Sequence, residues 1–175
     1  MKNKALLPLM FIVLIGVVLS HLGLTSDENG VLILIDNRPV DAKGILIDTW
    51  TGITRNCSGV LKLSPLDQEY LKTKQLIQNY SPPSSGSARL FTVIKFQEWI
   101  LAESEFDELL PAVVLIKMDN QNKESKLTII PNAVWSGITK PWKSAPYIRN
   151  YISTQAPDAP KPLTACFDPQ SNPFK

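Results

Sequence analysis

Histidine is almost absent from this sequence, because His21 is the only one among 175 residues. It lies in an uncharged run near the N-terminus, so it cannot complete a Ser-His-Asp or Cys-His arrangement in the rest of the chain. No Ser-x-x-Lys motif occurs either, which removes the lysine-based alternative to a histidine base. These absences exclude most nucleophilic hydrolase mechanisms, and no catalytic residue is predicted.

Cysteine is also scarce, and the two cysteines, Cys57 and Cys166, are far apart. Without a Cys-x-x-Cys spacing they do not predict a redox pair. With no histidine available, a zinc site would be two ligands short, so we predict no metal and no other cofactor. In an oxidising compartment an even pair favours one disulfide, which would close a loop of about 110 residues. The alternative is two separately buried thiols.

Charge is low and balanced. The chain is 44% hydrophobic and 19% charged, which is typical of one globular domain with an ordinary core. Its net charge of +2 comes from Lys2 and Lys4, which precede the first acidic residue, Asp27. Nucleic-acid binding is not predicted, because phosphate recognition needs clustered excess Lys and Arg.

Charged residues are missing altogether from residues 5–24, ALLPLMFIVLIGVVLSHLGL. As a helix this run would be about 30 Å long, which matches the hydrocarbon core of a bilayer. The basic flank at Lys2 and Lys4 predicts a cytoplasmic N-terminus and an extracytoplasmic bulk. We therefore expect a membrane-anchored, single-pass protein. Small residues at Val18 and Ser20 leave open the alternative of a signal peptide cut after Ser20, which would give a periplasmic or secreted protein.

The remaining pattern predicts an α+β fold with a mainly antiparallel sheet of about five to six strands and two to four helices. We divide the chain into the anchor or signal peptide at 1–24, an exported domain at 25–152 and a Pro-rich extended tail at 153–175. Five prolines in the tail are expected to exclude helix there.

Apolar, β-branched runs between turn residues predict the strands. They are expected at 31–36, 44–48, 53–57, 112–118 and 127–130, with a hairpin at Gly52 and a polar loop at 119–125. Ser64-Pro65 is a helix start signal and predicts a helix to about Asn79, with an apolar stripe of Leu66, Tyr70, Thr73, Ile77 and Tyr80. Residues 90–102 are expected to change from strand to helix. Ser104 is expected to start a short helix in which Glu103 and Asp107 face water. Ser144 is expected to start another short helix, which carries Tyr147, Ile148 and Tyr151.

Aromatic and basic residues alternate near the end of the predicted domain. Such rings and cations can stack on sugars, pair with anionic headgroups or enter a partner's pocket. The candidate binding residues are Trp135, Lys140, Trp142, Lys143 and Arg149. In the competing interpretation, Trp135 and Tyr147 only cap the sheet.

Three function classes follow from these features. The favoured one is a non-enzymatic, membrane-tethered subunit or accessory factor of a secretion, conjugation or wall-associated complex, with a protein partner in the envelope. The second is a binding module for glycan, peptidoglycan or lipid headgroups. The third is a hydrolase using Glu98 with Glu103, Glu105 or Glu108, which requires two of these carboxylates about 5 to 10 Å apart across a cleft. The sequence leaves the oligomeric state open.

Overall fold

The computed structural model describes residues 6–27, 30–119, 126–137 and 141–171. Within these ranges the chain forms five α-helices and two antiparallel sheets of three and five strands. The predicted α+β class is confirmed. The predicted single sheet is divided into two, and the predicted two to four helices are too few.

Helix α1 (Leu6–Ser20) is followed after one residue by a three-stranded sheet. Its strands are β1 (Leu22–Asp27), β2 (Gly30–Ile35) and β3 (Arg38–Val40). The predicted helix through Leu24 is wrong at its C-terminal end, because residues 22–27 pair with β2 instead. Helix α1 has 15 residues and is about 22 Å long. Among the described residues, no helix combines the length and the apolar character needed to cross a membrane. Lys2 and Lys4 lie outside those residues.

The predicted hairpin around Gly52 is wrong, because residues 42–52 form helix α2 (Ala42–Gly52). The Asp41 side chain accepts a hydrogen bond from the Gly44 backbone N-H at 2.7 Å and caps the first turn. The cap gives a partner to a backbone N-H that has none within the first turn of the helix. It therefore favours a helix over the strand that we predicted from the apolar run at residues 45–47. Residues 53–57 are irregular and form no strand.

The larger sheet has its strands in sequential order, each antiparallel to its neighbours. It consists of β4 (Leu61–Lys62), β5 (Arg89–Phe96), β6 (Trp99–Glu105), β7 (Ala112–Asp119) and β8 (Lys126–Trp135). The strands predicted at 112–118 and 127–130 are confirmed, and residues 120–125 of the loop between them lie outside the described residues.

The change from strand to helix predicted within residues 90–102 is wrong. The chain reverses at Gln97, which has a φ of 54°, and returns as the buried strand β6. Residues 106–111, where we expected a short helix, are irregular.

Helix α3 (Gln68–Gln78) covers one face of the larger sheet. Tyr70, Thr73 and Ile77 are buried as predicted. Leu66 and Tyr80, the two ends of the predicted stripe, are 91% and 55% exposed. The helix begins three residues later than Pro65, so Leu66 precedes it and falls outside its buried face.

Helices α4 (Ser144–Gln155) and α5 (Lys161–Ala165) cover the opposite face. The helix predicted after Ser144 is confirmed, but the prediction that prolines exclude helix from the tail is wrong. Pro162 lies in the first turn of α5, where no backbone N-H is needed for an intrahelical bond. Leu163 and Phe167 are fully buried in the core against this face.

The predicted disulfide is confirmed, since Cys57 and Cys166 are bonded with their Cα atoms 5.8 Å apart. It joins the segment after α2 to the segment after α5. The tail is therefore wrapped onto the domain at least as far as the core side chain of Phe167.

Candidate functional site

The four predicted binding residues that the structure describes do not form one surface. Trp135 is only 5% exposed and packs edge to face against Tyr147, with ring centroids 6.3 Å apart. This is the core arrangement of the competing interpretation. Arg149 is largely buried, Trp142 and Lys143 are exposed, and Lys140 lies outside the described residues.

Arg149 holds the fold together at the contact between α2 and α4. The Arg149 guanidinium pairs with the Asp48 carboxylate of α2, and the Arg149 Nε donates to the Phe167 carbonyl at 2.7 Å. The Asp48 carboxylate also pairs with Arg55. Burial lowers the pKa of Arg149, and the hydrogen bond and charge of Asp48 oppose that shift. Because its donors are committed within the fold, Arg149 is a poor candidate for ligand contact.

Trp142 and Lys143 remain at the surface as a pair. The Trp142 side chain is 62% exposed, and the Lys143 ammonium lies 5.3 Å from a ring centroid. The Trp142 backbone N-H donates to the Pro39 carbonyl at 2.9 Å, so the segment before α4 extends the edge of the small sheet. Of the four predicted residues that the structure describes, two are thus available to a ligand.

A larger exposed surface lies on α2, which the sequence analysis did not place on a helix. Leu46, Trp50 and Ile53 are 73%, 78% and 82% exposed. Their spacing of four and three residues puts them within about 60° on one side of the helix axis. We call these three side chains the α2 ridge.

The inner face of α2 packs loosely against the domain. The helix has no buried side chain, and the pair of Asp48 with Arg149 links it to α4. A groove of about 310 Å³ runs between the Ile45 and Thr49 side of α2 and the start of α4. Another of about 340 Å³ runs along its Ile47 side toward α5. The two grooves therefore follow the flanks of α2 where it faces the domain, and no side chain of the α2 ridge lines either of them.

The structure does not bring Glu98 together with Glu103 or Glu105 in a cleft. Glu103 is fully buried and binds the C-terminal segment. Its Oε1 accepts from the Ser171 backbone N-H at 2.8 Å and from its hydroxyl at 2.5 Å, and Oε2 accepts from the Gln170 N-H at 2.9 Å. The expectation that Glu103 faces water is wrong, because β6 continues through it.

Glu98 and Glu105 lie at opposite ends of β6, roughly 23 Å apart along an extended strand. That separation is well beyond the spacing used in glycoside cleavage. The described residues also contain no group of three or more His, Cys, Asp and Glu side chains that could hold a metal ion.

Comparison of the chain with protein-family models, with curated proteins and with solved structures found no match. The site must therefore be judged from its own geometry. The α2 ridge could have been found from the sequence, since Asp41 is a helix-capping residue type and Leu46, Trp50 and Ile53 have helical spacing.

Proposed function

We propose that this chain is a non-enzymatic, membrane-tethered subunit or accessory factor of a cell-envelope assembly, and that the α2 ridge docks it to a protein partner. The observation that carries the proposal is the exposure of Leu46, Trp50 and Ile53 on one side of a short helix. Isolated exposed apolar residues are ordinary, but an exposed contiguous apolar surface marks an interaction site. Tryptophan is also among the residues that contribute most to binding energy at protein interfaces.

The proposed tether is supported by the uncharged run at residues 5–24 and by the exposure of the apolar side chains of α1. Met10, Phe11 and the other large apolar side chains from residue 10 to 19 are 43% to 66% exposed, so the domain does not bury them. A helix that is apolar on all sides needs an apolar environment. The disulfide between Cys57 and Cys166 agrees with an extracytoplasmic position for the domain, because such bonds persist in oxidising compartments.

A protein partner fits the α2 ridge better than a lipid surface does. The grooves of about 310 and 340 Å³ along the flanks of α2 are concave, and a partner protein that covers the α2 ridge and both flanks would fill them with its side chains. A smooth bilayer surface would leave both grooves unfilled. We therefore expect the partner to present an apolar protein surface to the α2 ridge.

Crosslinked co-purification from intact membranes tests this proposal with a matched pair of variants. Leu46→Asp places a charge on the α2 ridge, while Leu66→Asp makes the same change at an isolated leucine that is 91% exposed and lies before α3. Neither side chain is buried, so both variants should melt within about 3 °C of the parent. We expect Leu46→Asp to abolish a partner adduct that Leu66→Asp retains. Equal adduct yields in the two variants, or adducts to lipid alone, would count against the proposal.

The second candidate, a module for glycan or lipid headgroups, is favoured by the exposed pair of Trp142 and Lys143. An exposed aromatic ring beside an ammonium group can stack on a sugar and pair with an anion. Trp142→Ala should then weaken retention on insoluble peptidoglycan with little change in melting temperature. Unchanged retention would remove this candidate.

A further inference from the structure

Another cavity, separate from the two grooves along α2, lies on the face of the larger sheet that α3 covers. It has a volume of about 450 Å³ and lies between the C-terminal end of α3 and the connection from β6 to β7. Its walls are mainly aliphatic side chains, including Ile77, Leu110, Val114 and Val134. We call this cavity the α3 groove. Its volume lies in the range of about 300 to 1,000 Å³ found for small-molecule sites.

The connection that forms one wall of the α3 groove is fixed by polar contacts. The Asp107 backbone N-H donates to the Ser87 hydroxyl at 3.0 Å, and Arg89 pairs with the Asp107 carboxylate at 2.8 Å. These bonds hold Leu109 and Leu110 beside the groove although they are 41% and 48% exposed. The groove is therefore already formed before any ligand enters.

The α3 groove has few polar groups, and they differ in whether they already have partners within the chain. Ser85 is already satisfied, since its hydroxyl donates to the Gln78 carbonyl at 2.7 Å and accepts from the Ser81 N-H at 3.0 Å. Among the described residues, Glu108 is the one charged side chain that lines the groove, and it forms no ion pair with another of them. A polar ring system would find no array of donors here, whereas a flexible hydrocarbon needs none.

We propose that the α3 groove binds a free single-chain amphiphile that carries an ammonium head group, such as a lysophospholipid with a choline head. The aliphatic walls take the hydrocarbon chain, and the Glu108 carboxylate at the rim attracts the cation. The size of the groove favours one chain over the two chains of a bilayer phospholipid. This inference does not depend on the proposed function, because it uses neither α1 nor the α2 ridge.

Photolabelling of the full chain tests the assignment. The probe is a trimethylammonium with a 14-carbon chain and a terminal diazirine, used below its micellar concentration. The comparison arms are the same chain with a sulfate head, a two-chain phosphatidylcholine carrying the same diazirine, and a basic apolar peptide as competitor. We expect adducts in residues 106–114 and 127–136. Shortening the chain by two methylenes should weaken competition about 15-fold, at roughly 0.8 kcal/mol for each methylene.

Two variant pairs make the result specific. Ser136, which follows β8, is exposed and lines the α3 groove, so Ser136→Trp should block labelling, while Thr128→Trp at an exposed position of β8 that does not line the groove should not. Glu108→Gln should weaken binding of the cationic probe about two- to fivefold, as expected for an exposed charge pair, and should leave the sulfate probe unweakened.

Labelling of Ser136→Trp at the parent level, or adducts confined to α1, would overturn the assignment. Stronger labelling by the two-chain probe than by the single-chain probe would also overturn it. The same holds if the basic apolar peptide competes and the single-chain amphiphiles do not.

Discussion

The buried carboxylate of Glu103 offers the sharpest test of how the C-terminal segment is held. Glu103→Gln keeps the shape of the side chain but removes its charge and replaces one acceptor oxygen with an NH₂ group. The carboxylate accepts three hydrogen bonds from Gln170 and Ser171, and Glu103 has no exposed surface. After the substitution, at least one backbone N-H of that segment faces a donor instead of an acceptor.

The magnitude follows from those contacts. A hydrogen bond to a charged group contributes about 1.5 to 3 kcal/mol, and a buried donor left without a partner costs about 1 to 3 kcal/mol. Allowing for partial relaxation, we expect the segment from Asp168 to Ser171 to be destabilised by about 2 to 4 kcal/mol. Because the disulfide at Cys166 still holds the preceding residues, the loss should take the form of local opening.

Amide hydrogen exchange measures that opening residue by residue. The Gln170 and Ser171 amides should exchange about 30 to 1,000 times faster in Glu103→Gln than in the parent, which corresponds to 2 to 4 kcal/mol of local stability. Glu105→Gln is the control, since Glu105 lies at the end of the same strand and is partly exposed. If the two variants exchange alike, the carboxylate of Glu103 does not hold the tail and the reasoning is refuted.

Three further predictions concern the disulfide, a buried tyrosine and the placement of the chain. Replacing Cys57 and Cys166 together with serine should lower the free energy of unfolding in urea by up to about 4.7 kcal/mol, because the bond closes a long loop; an unchanged midpoint would contradict this. Burial raises the pKa of Tyr70 above its ordinary value near 10, so its contribution to stability is present below about pH 10 and is lost as the pH rises through the folded-state value. Tyr70→Phe should flatten the alkaline decline in melting temperature, and an equally steep decline would show that another group causes it. Protease added to spheroplasts should degrade the domain, and an intact domain with two free thiols would contradict the extracytoplasmic position.

The sequence predicted an element correctly where its apolar periodicity agreed with the turn or capping residues at its ends. The strands at 112–118 and 127–130 are apolar, β-branched runs bounded by polar turns, and both form. The helix after Ser64-Pro65 forms with Tyr70 and Ile77 on its buried face. The two cysteines pair as the even count suggested.

It failed where a short apolar run fits both a helix and a strand. The run at residues 45–47 was assigned to a strand, but the cap from Asp41 makes it part of α2. Residues 90–102 were expected to change from strand to helix, but backbone pairing with β5 and β7 makes residues 99–105 a central strand. In both cases the secondary structure is decided by hydrogen bonds to residues outside the apolar run, which the run itself does not predict.

The predicted site failed for a related reason. Trp135, Trp142 and Arg149 were grouped because they are close in sequence, whereas the fold sends Trp135 to the core and Arg149 to Asp48 of α2. Only the exposed pair of Trp142 and Lys143 survives from that group within the described residues. The α2 ridge was missed because recognising it depends on assigning a helix to residues 42–52.

The most direct test of the account is a photoreactive phenylalanine analogue placed at position 50 of the full chain in intact membranes, with the same residue at position 66 as the control. Trp50 and Leu66 are both highly exposed, so neither replacement disturbs the core. We predict one discrete protein adduct from position 50 and none from position 66. Equal adducts from both positions, or none from position 50, would contradict the claim that the α2 ridge docks a protein partner.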